Sequence, residues 1–413
     1  MYNFGLKIPI LAGFFPFQKT YPYFCKKHTM GFFSGTQTIG ILGGGQLGKM
    51  LLNTTRQWDV QTKVMDPSDQ APARIACNLF IQGDLMDYDA VIAFGKDVDI
   101  LTIEIENVNS DALLTLEKQG VKVFPQAQVL KIIQNKCHQK EFYQKNNIPT
   151  ASFQLFKSKE QLKDAVGRGF VSFPFVWKSE SMGYDGYGVK IVRSNQDLEH
   201  VNDGACMAED LVNIDKELGV IICRSPKGET QCYPCVEMEF HPEANQVEYV
   251  LSPARISKNV ATQAEKIALA VSKAFQHVGL LAVELFLTKE GEIWVNEVAP
   301  RPHNSGHYSI EAAYTSQFEQ HTRAILDLPL GKTENKVAGV MVNLVGKEGH
   351  SGPVHYKNIE HILAIEGVNP HIYGKKETRP FRKMGHITIV NKDLEVARKI
   401  AEEVKETIEV ISK

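Results

Sequence analysis

A regular alternation of short apolar runs and helical stretches begins at Thr38 and restricts the possible folds of the chain more than any other feature. The first unit is the apolar run Thr38–Leu42, the turn Gly43-Gly44-Gly45 and a stretch of helical spacing over 46–58. Further apolar runs follow at 61–65, 79–82, 100–105 and 121–124, with helical stretches at 87–94 and 110–119. Strands that alternate with helices form parallel sheets with helices on both faces. We therefore predict a doubly wound α/β domain here.

Beyond residue 125 the pattern is that of a mixed α+β protein. A polar helical stretch is predicted between Pro125 and Pro149, and further helices at 262–277 and from about 310 to 326. Strands are predicted at 153–156, 173–178, 189–192, 220–224, 230–240, 247–254, 280–287 and 292–298. The tail, 336–413, is predicted to be a small α+β unit that ends in a helix over 394–408. We expect a disordered extension over 1–35 and three domains over 36–130, 131–332 and 333–413.

Charge and cysteine content exclude several classes of protein. The 46 Lys and Arg residues nearly balance the 48 Asp and Glu residues, which gives no reason to expect nucleic-acid binding. No apolar run reaches the roughly 18 residues of a membrane span. Seven scattered cysteines do not form the pattern of a secreted disulfide scaffold, and Cys232-x-x-Cys235 lacks a second pair for zinc. We expect a cytoplasmic protein with reduced thiols and no membrane partner.

The turn after the first predicted strand fits a dinucleotide-binding pattern. Residues Gly43-Gly44-Gly45-Gln46-Leu47-Gly48 match G-x-G-x-x-G, and Asp66 ends the second strand, where an acid could bind a ribose. Glycines at such a turn also serve other ligands at a helix N-terminus. The motif therefore leaves nicotinamide binding open without establishing it.

A second glycine-rich loop, Gly183-Tyr184-Asp185-Gly186-Tyr187-Gly188, lies between two predicted strands and follows Lys178. Glycines let backbone amides approach phosphate oxygens, and a lysine adds a point charge. The loop therefore suits a triphosphate, with a plain hairpin turn as the alternative.

Two glutamates lie in the predicted hairpin of strands 280–287 and 292–298. If Leu287 faces Glu292, then Glu284 and Glu297 lie on one face as diagonal neighbours. Unpaired carboxylates are costly in an apolar strand and repel each other, and Mg²⁺ resolves both problems because it prefers oxygen ligands. Asn296 could add a third oxygen. The alternative is a solvated sheet face.

Two later segments are rich in groups that bind anions. Arg301, His303, Asn304 and Ser305 lie in a polar loop before a predicted helix, and Arg suits bidentate contact with an anionic oxygen. The segment 374–386 contains several cations beside an aromatic residue and glycines, which suits either a phosphate or a solvated surface.

In this order, the motifs resemble the N5-carboxyaminoimidazole ribonucleotide synthetase family, the ATP-grasp carboxylases of purine biosynthesis. The resemblance covers residues 38 to about 390, and its specific parts are Arg301-Pro302-His303-Asn304-Ser305-Gly306-His307 and Arg382-Lys383-Met384-Gly385-His386. It implies that 36–130 is a pre-ATP-grasp Rossmann-like domain, that 131–332 is an ATP-grasp domain and that 333–413 is a small C-terminal domain. It also implies a homodimer.

The resemblance implies a ligase. ATP and bicarbonate would carboxylate 5-aminoimidazole ribonucleotide to the N5-carbamate, releasing ADP and phosphate, with Mg²⁺ or Mn²⁺ as cofactor. Bicarbonate would attack the γ-phosphate to give carboxyphosphate, which the 183–188 loop would shield from water. Either carboxyphosphate or CO2 released from it would then meet the exocyclic amine.

The resemblance also implies a role for individual residues. The expected catalytic residues are Asp185, Arg301 and Lys178. The expected ATP-binding residues are Lys136, Lys178, Met182, Gly183, Tyr184, Asp185, Gly186, Tyr187, Gly188, Glu209, Asp210, Leu211, Val212, Glu217, Asn296 and Glu297. The expected substrate-binding residues are Gln46, Glu104, Glu106, Tyr184, Asp185, Arg301, His303, Asn304, Ser305, Lys375 and Arg382. The expected metal ligands are Glu284, Glu297 and Asn296.

Three positions depart from the family pattern. Met182 stands where Gly is frequent, and Glu237 stands where some members have a histidine. The spacing between Tyr373 and Arg382 leaves Lys375 and Lys376 interchangeable as the phosphate ligand. The competing functions are another ATP-grasp ligase that uses a different acid, an NAD-dependent oxidoreductase built on Gly43–Gly48 and Asp66, and a non-catalytic nucleotide-binding or scaffold protein.

Overall fold

The computed structural model describes residues 34–180, 188–242 and 246–413. These residues belong to one compact unit, Ser34–Lys413. The predicted extension over 1–35 lies outside the described residues except for its last two positions. Across the described ranges, no helix combines the length and the apolar character that a membrane span requires.

The N-terminal part is a five-stranded parallel sheet, as predicted. Its strands are β1 (Thr38–Leu42), β2 (Gln61–Asp66), β3 (Leu79–Gln82), β4 (Ile100–Ile103) and β5 (Lys122–Phe124). The connecting helices are α1 (Gln46–Gln57), α2 (Tyr88–Gly95) and α3 (Ser110–Lys118). The order β3-β2-β1-β4-β5 places β1 between β2 and β4, so the chain reverses direction across the sheet at β1. The loops after β1 and β4 therefore meet at the crevice where α/β proteins bind ligands.

A four-stranded antiparallel sheet follows two helices. The helices α4 (Ala127–Ile133) and α5 (Lys136–Lys145) replace the single predicted stretch, because Asn135 caps a new helix by accepting a hydrogen bond from the His138 amide. The strands are β6 (Phe153–Phe156), β7 (Phe175–Ser179), β8 (Val189–Val192) and β9 (Cys206–Asp210), in the order β6-β9-β7-β8. Helices α6 (Lys159–Gly167) and α7 (Asn195–Glu199) cover it.

A third sheet, of nine strands, contains most of the remaining chain. Its strands from the central part of the chain are β10 (Ile214–Arg224), β11 (Thr230–Cys232), β12 (Val236–Phe240), β13 (Val247–Ser252), β14 (Gly279–Thr288) and β15 (Ile293–Ala299). Helix α8 (Lys258–Phe275) packs against β10, β14 and β15 through its buried face. The predicted strand over 230–240 is two strands, because Pro234 has no amide hydrogen with which to continue the ladder.

The predicted helix over 310–326 is also interrupted. It forms α9 (Ser309–Ala312) and α10 (Gln317–Ile325). The Ser316 side chain accepts a hydrogen bond from the Glu319 amide and starts α10, while the Ser309 hydroxyl accepts one from the Gln317 amide. These serine contacts compete with a continuous helix.

The tail has the predicted α+β content, but its central strands continue the large sheet. The tail contains β16 (Ala338–Val345), β17 (Gly352–Lys357), α11 (Ile359–Leu363), β18 (Val368–Ile372), β19 (Glu377–Thr378), β20 (Lys383–Asn391), α12 (Leu394–Thr407) and β21 (Glu409–Ser412). The sheet order is β15-β14-β10-β12-β13-β16-β20-β18, with β11 paired to β10. Because β13 pairs with β16, Leu251 lies in one apolar cluster with Val340 and with residues of α12. The domain boundary at 332/333 remains a prediction.

Burial disfavours a reactive role for the two cysteines of the C-x-x-C pair. Cys232 is half-buried and Cys235 is buried, and burial raises the pKa of each thiol to about 12. Thiolate, the reactive form, is therefore disfavoured at both positions.

We predict that Leu251→Ala destabilises the whole folded unit. The side chain is fully buried between the central sheet and the tail, so its truncation should cost about 2–5 kcal/mol of unfolding free energy. The midpoint of thermal or urea unfolding measures the effect. Leu269→Ala, on an exposed position of α8, is the matched control and should change stability by less than about 0.5 kcal/mol. An unchanged midpoint for Leu251→Ala would contradict the packing described here.

Candidate functional site

The two glutamates of the β14–β15 hairpin face each other directly. The predicted diagonal arrangement is wrong in register: Glu284 pairs with Glu297, and Leu287 pairs with Ile293. The turn has three residues because Thr288 N donates to Glu292 O at 2.9 Å and Gly291 adopts a φ of +88°. A bulge then places Asn296 opposite no partner residue. Both carboxylates nevertheless lie on one face, as expected.

The two carboxyl groups have different surroundings, which shift their pKa values in opposite directions. Burial, together with Glu297 and Glu217, raises the pKa of Glu284 to about 8, and its carboxylate lies 3.2 Å from His303 Nε2. Lys136 Nζ lies 3.1 Å from Glu297 Oε2 and lowers the pKa of Glu297. Burial raises the pKa of Glu217 to about 7, with a further contribution from Glu297. Three acidic groups thus converge on one cleft.

Lysines from separate elements complete the opposite side of this cleft. Lys178 Nζ on β7 lies 2.5 Å from Glu209 Oε2 and donates to Asn296 Oδ1 at 3.0 Å. Lys140, on α5, pairs with the other oxygen of Glu209. Burial lowers the pKa of Lys140 to about 8. Glu209 therefore fixes the position of Lys178 beside the bulge of β15.

The predicted nucleotide-binding stretch connects the two antiparallel sheets. Glu209 and Asp210 end β9, and Val212 accepts a hydrogen bond from the Ile214 amide at the start of β10. Leu211 has 42% of its surface exposed and offers an apolar contact. A cavity of about 340 Å³ follows, lined by residues 214–217 and 237–240, so Glu217 lies in its wall. This space suits a nucleoside next to the acidic cleft.

Glu237, which departs from the family pattern, is part of an ion network at this cavity. It pairs with Lys216 at 2.7 Å and with Arg255 at 2.7 Å. Burial opposes ionisation, but the hydrogen bonds from Arg255 and Lys216 lower its pKa overall. The carboxylate of Glu237 is therefore already paired with Lys216 and Arg255.

The loop after β15 brings several predicted substrate residues together. Arg301 Nε lies 2.8 Å from Glu106 Oε2, which joins two predicted substrate residues from distant parts of the chain. His303 Nδ1 is 2.9 Å from the Ser305 hydroxyl. Asn304 Nδ2 is buried and has no hydrogen-bond partner among the described residues. An unpaired buried amide is costly, so this donor suits a ligand.

The glycine-rich turn Gly43–Gly48 binds a carboxylate of its own chain. Leu47 N donates to Glu104 Oε1 at 3.1 Å, and a Cβ at Gly43 would lie 2.7 Å from Glu104 Oε2. Both oxygens of Asp66 accept backbone amides, from Gly44 at 2.7 Å and from Ser68 at 2.8 Å. The helix N-terminus and the proposed ribose acid are thus both occupied, which disfavours the dinucleotide alternative. Gln46 is half-buried at the start of α1.

The basic tail segment is anchored near α1. Lys49 on α1 donates to Ile372 O at 2.9 Å and to Tyr373 O at 3.3 Å. Lys375 Nζ donates to Lys383 O at 2.8 Å. Arg382 Nη1 donates to Glu377 O at 2.7 Å, and this hydrogen bond is exposed to solvent. The tail segment therefore lies beside the helix that carries Gln46.

Six predicted site residues, Met182, Gly183, Tyr184, Asp185, Gly186 and Tyr187, lie outside the described residues. Gly188 is described and has a φ of +74°, with its carbonyl accepting from Ser179 N at 2.9 Å. The roles predicted for the individual residues of the site remain predictions.

Sequence reasoning missed Lys140, Gln317 and Lys383. Lys140 orients Glu209, and Gln317 holds both backbone groups of His303 at 2.8 Å. Lys383 lies close enough to Glu284 to oppose the rise of its pKa. A buried lysine or glutamine in a helix has no local signature, but Lys383 lies within a motif that the resemblance had already identified.

The residues of the cleft fit a magnesium ion. Two carboxylates side by side, one of them with a raised pKa, and the Asn296 amide oxygen are the donor set that Mg²⁺ prefers. Among the described residues no group of three His, Cys, Asp or Glu side chains forms a protein-only metal site. Mg²⁺ usually keeps waters and substrate phosphates as ligands, so two carboxylates are sufficient.

We predict that Glu284→Gln stabilises the metal-free protein. The native Glu284 retains a proton up to about pH 8, whereas an unfolded glutamate releases it near 4.5, so wild-type stability falls as the pH rises between these values. The variant has no such loss and should be more stable by about 1–2 kcal/mol at about pH 8, with little difference at about pH 5. Thermal unfolding in chelator measures this, with exposed Glu292→Gln as the control. A destabilised Glu284→Gln at about pH 8 would contradict it.

Three family models match consecutive parts of the chain. A ribonucleotide synthetase pre-ATP-grasp domain matches residues 36–134, an ATP-grasp domain matches 141–318, and a phosphoribosylaminoimidazole carboxylase C-terminal domain matches 339–400. The chain therefore has the predicted three kinds of domain.

Relatives of known name agree with these models. The N5-carboxyaminoimidazole ribonucleotide synthase of Bacillus subtilis is 38% identical over 358 residues, which are 85% of this chain and 91% of that protein. A Thermotoga maritima N5-carboxyaminoimidazole ribonucleotide synthetase structure is 43% identical with a TM-score of 0.84, covering 91% of this chain and 100% of that one. An Aspergillus clavatus N5-carboxyaminoimidazole synthase structure, in complex with ADP and 5-aminoimidazole ribonucleotide, is 32% identical with a TM-score of 0.82, covering 90% and 98%.

Other relatives are longer than this chain. It spans 64–67% of the fungal and plant phosphoribosylaminoimidazole carboxylases that it matches. It spans nearly all of the bacterial synthases, 91% and 90% of two of them. The chain belongs to the N5-carboxyaminoimidazole ribonucleotide synthase family and is an ATP-grasp ligase of that family.

Proposed function

We propose that this chain uses ATP and bicarbonate to carboxylate the exocyclic amine of 5-aminoimidazole ribonucleotide, giving N5-carboxyaminoimidazole ribonucleotide, ADP and phosphate. One observation carries the proposal within this structure. The facing pair Glu284 and Glu297 lies between Lys136 and Lys178 on one side and His303 on the other. A nucleoside triphosphate and a second anionic substrate can therefore bind next to each other at these two glutamates.

In the first step, a bicarbonate oxygen attacks the γ-phosphorus of ATP. The bond to the bridging oxygen breaks, ADP leaves, and carboxyphosphate forms. Negative charge on the transferring group is met by Lys136 and Lys178, which Glu297, Glu209 and Asn296 hold in place. Fixed cations need no reorganisation as the charge develops, so positioning and electrostatics provide most of the catalysis.

In the second step, the amine nitrogen of the ribonucleotide attacks the carboxyl carbon. The carbon–oxygen bond to the phosphate breaks, phosphate leaves with the electron pair, and the departing phosphate takes the proton that the nitrogen loses. Arg301, oriented by Glu106, is our choice to bind bicarbonate or carboxyphosphate, and Asp185 to contact the aminoimidazole. His303, Asn304 and Ser305 would supply polar contacts, and Lys375 or Arg382 would bind the ribonucleotide phosphate.

Magnesium, held by Glu284, Glu297 and Asn296, would add positive charge at the phosphate oxygens, and manganese suits the same donors. Adenine and ribose would lie along Glu209–Val212 and Glu217, next to the cavity. The family resemblance further leads us to propose a homodimer in the cytoplasm.

A second candidate is a ligase of the same fold that uses another acid. The cleft of lysines and glutamates would serve it equally, because phosphoryl transfer to any carboxylate needs the same charges. The Arg301–Ser305 loop and its link to Glu106 favour the first candidate.

We predict that phosphate release from ATP and magnesium depends on both other substrates. Release should require 5-aminoimidazole ribonucleotide and rise with added bicarbonate, because the second step consumes carboxyphosphate. A coupled phosphate assay with each substrate omitted in turn measures this. Release that responds to formate but not to bicarbonate would favour the second candidate. ATP binding with no response to either addition would leave the substrate proposal without support.

We predict that Glu297→Gln lowers turnover by at least about 100-fold while the protein stays folded. The variant loses the ion pair with Lys136 and one magnesium carboxylate, and both serve phosphoryl transfer. The kcat for phosphate release and the unfolding midpoint are the two measurements. Glu292→Gln, on the same hairpin but exposed, should keep wild-type turnover. Unchanged turnover of Glu297→Gln at ordinary magnesium concentrations would exclude the role given to Glu297.

A further inference from the structure

Three histidines from separate elements stack into a column next to the loop Arg301–Ser305, which we call the substrate loop. The rings of His371, on β18, and His386, on β20, have centroids 4.4 Å apart and an interplanar angle of 11°. The ring of His307, just after the loop, lies 4.6 Å from that of His386 at 30°. We refer to His307, His386 and His371 as the histidine column. His307 and His386 are almost fully buried.

The outer ring, His371, and the middle ring, His386, are each held by a hydrogen bond. His371 Nε2 lies 2.8 Å from Glu311 Oε1 on α9, and the Tyr373 hydroxyl lies 3.1 Å from His386 Nδ1. His386 Nε2 is buried and has no hydrogen-bond partner in the described part of the chain. Burial lowers the pKa of both His307 and His386, so neutral rings are favoured. Neutral stacked rings avoid the repulsion that adjacent imidazolium ions would create.

The inner end of the column contacts Gln317, and this contact determines which nitrogen of His307 carries the proton. The His303 amide can only donate, so the Gln317 atom 2.8 Å from it must be the oxygen, Oε1. Gln317 Nε2 therefore donates both of its hydrogens, one to His303 O at 2.8 Å and one to His307 Nδ1 at 2.9 Å. His307 Nδ1 must accept, which places the proton of the neutral ring on Nε2.

Gln317 connects His307 to the cleft that contains Glu284. It holds both the amide and the carbonyl of His303, whose ring contacts Glu284 at 3.2 Å. The space around Gln317 is tight, because a Cβ at Gly306 would lie 2.6 Å from its Oε1. A change at His307 or His386 can therefore reach His303 through a single buried amide.

We propose that His307 and His386 are positioning residues for the substrate loop. The C-terminal strands hold His386, His386 packs against the Nε2–H tautomer of His307, and His307 fixes Gln317 and hence His303 beside Glu284. Neither histidine contacts the reacting atoms in this scheme. The inference rests on the proposed function for its kinetic consequences, but its structural part can be tested independently.

The hydrogen-bond acceptor at position 307 distinguishes positioning from mere packing. A core that needs only volume would accept leucine at this site, whereas the Gln317 amide needs an acceptor. The Oδ1 atom of asparagine can replace Nδ1 of histidine as that acceptor, although asparagine fills less space. His307→Asn and His307→Leu therefore form a matched pair in which packing favours leucine and hydrogen bonding favours asparagine.

The first test uses the wild-type protein labelled with ¹⁵N-histidine. Nitrogen chemical shifts distinguish a protonated from an unprotonated ring nitrogen, and the His307 signals are identified by their loss in His307→Asn. The expected result is a proton on Nε2 and none on Nδ1 throughout the stable pH range. A proton on Nδ1 of His307 would overturn the proposal, and this test does not depend on activity or on the folding of His307→Leu.

The second test compares the kinetics of the two variants. For His307→Leu, kcat/KM for the ribonucleotide should fall by about 10–100-fold, with little change in the KM for ATP, because the loop is misplaced while the nucleotide region is untouched. His307→Asn should stay within about threefold of wild type. Equal losses in both variants, no loss in either, or a greater loss in His307→Asn would overturn the proposal.

The same experiments separate this inference from the proposed function. If the wild-type protein shows no ribonucleotide-dependent phosphate release, the proposed function fails, and the tautomer measurement alone decides the structure of the column. If the wild type is active, the comparison of His307→Asn with His307→Leu bears only on positioning.

Discussion

Two acidic side chains held side by side on adjacent strands constrain the rest of this structure. Glu284 and Glu297 would repel each other in an apolar sheet, so their position must be stabilised by surrounding groups. Lys136 offsets Glu297 directly, while Glu284 has a raised pKa and contacts a histidine. The surrounding cations come from helix α5, strand β7 and the tail, so the site exists only when all of these parts are assembled.

The continuity of the large sheet explains how the tail can affect a site formed mainly by the central region. Strand β13 pairs with β16, and β16 pairs with β20, which carries His386. The histidine column then leads from β20 to His307. A rigid sheet and a stacked buried column provide a continuous packed route of the kind that can carry coupling between distant parts of a protein.

Local sequence was sufficient for features that depend on local physics. The alternation of strands and helices predicted the N-terminal sheet. The hairpin register that we assumed predicted a shared face for Glu284 and Glu297, which is correct only because the bulge at Asn296 offsets the wrong register. The bulge at Asn296 could not be predicted, because it is associated with Lys178 from another sheet. The pairing of β13 with β16 was missed for the same reason: a strand sequence gives its faces but does not identify its neighbour.

The turn Gly43–Gly48 shows why a motif alone does not define a ligand. Its glycines create a helix N-terminus open to an anion, which is the property that dinucleotide-binding proteins use. In this chain the β4 strand delivers Glu104 to the same amides, and backbone groups occupy both oxygens of Asp66. The neighbouring Glu106 then orients Arg301. The motif thus organises one wall of the cleft by binding an internal carboxylate, and its chemistry follows from the strand that the fold places next to it.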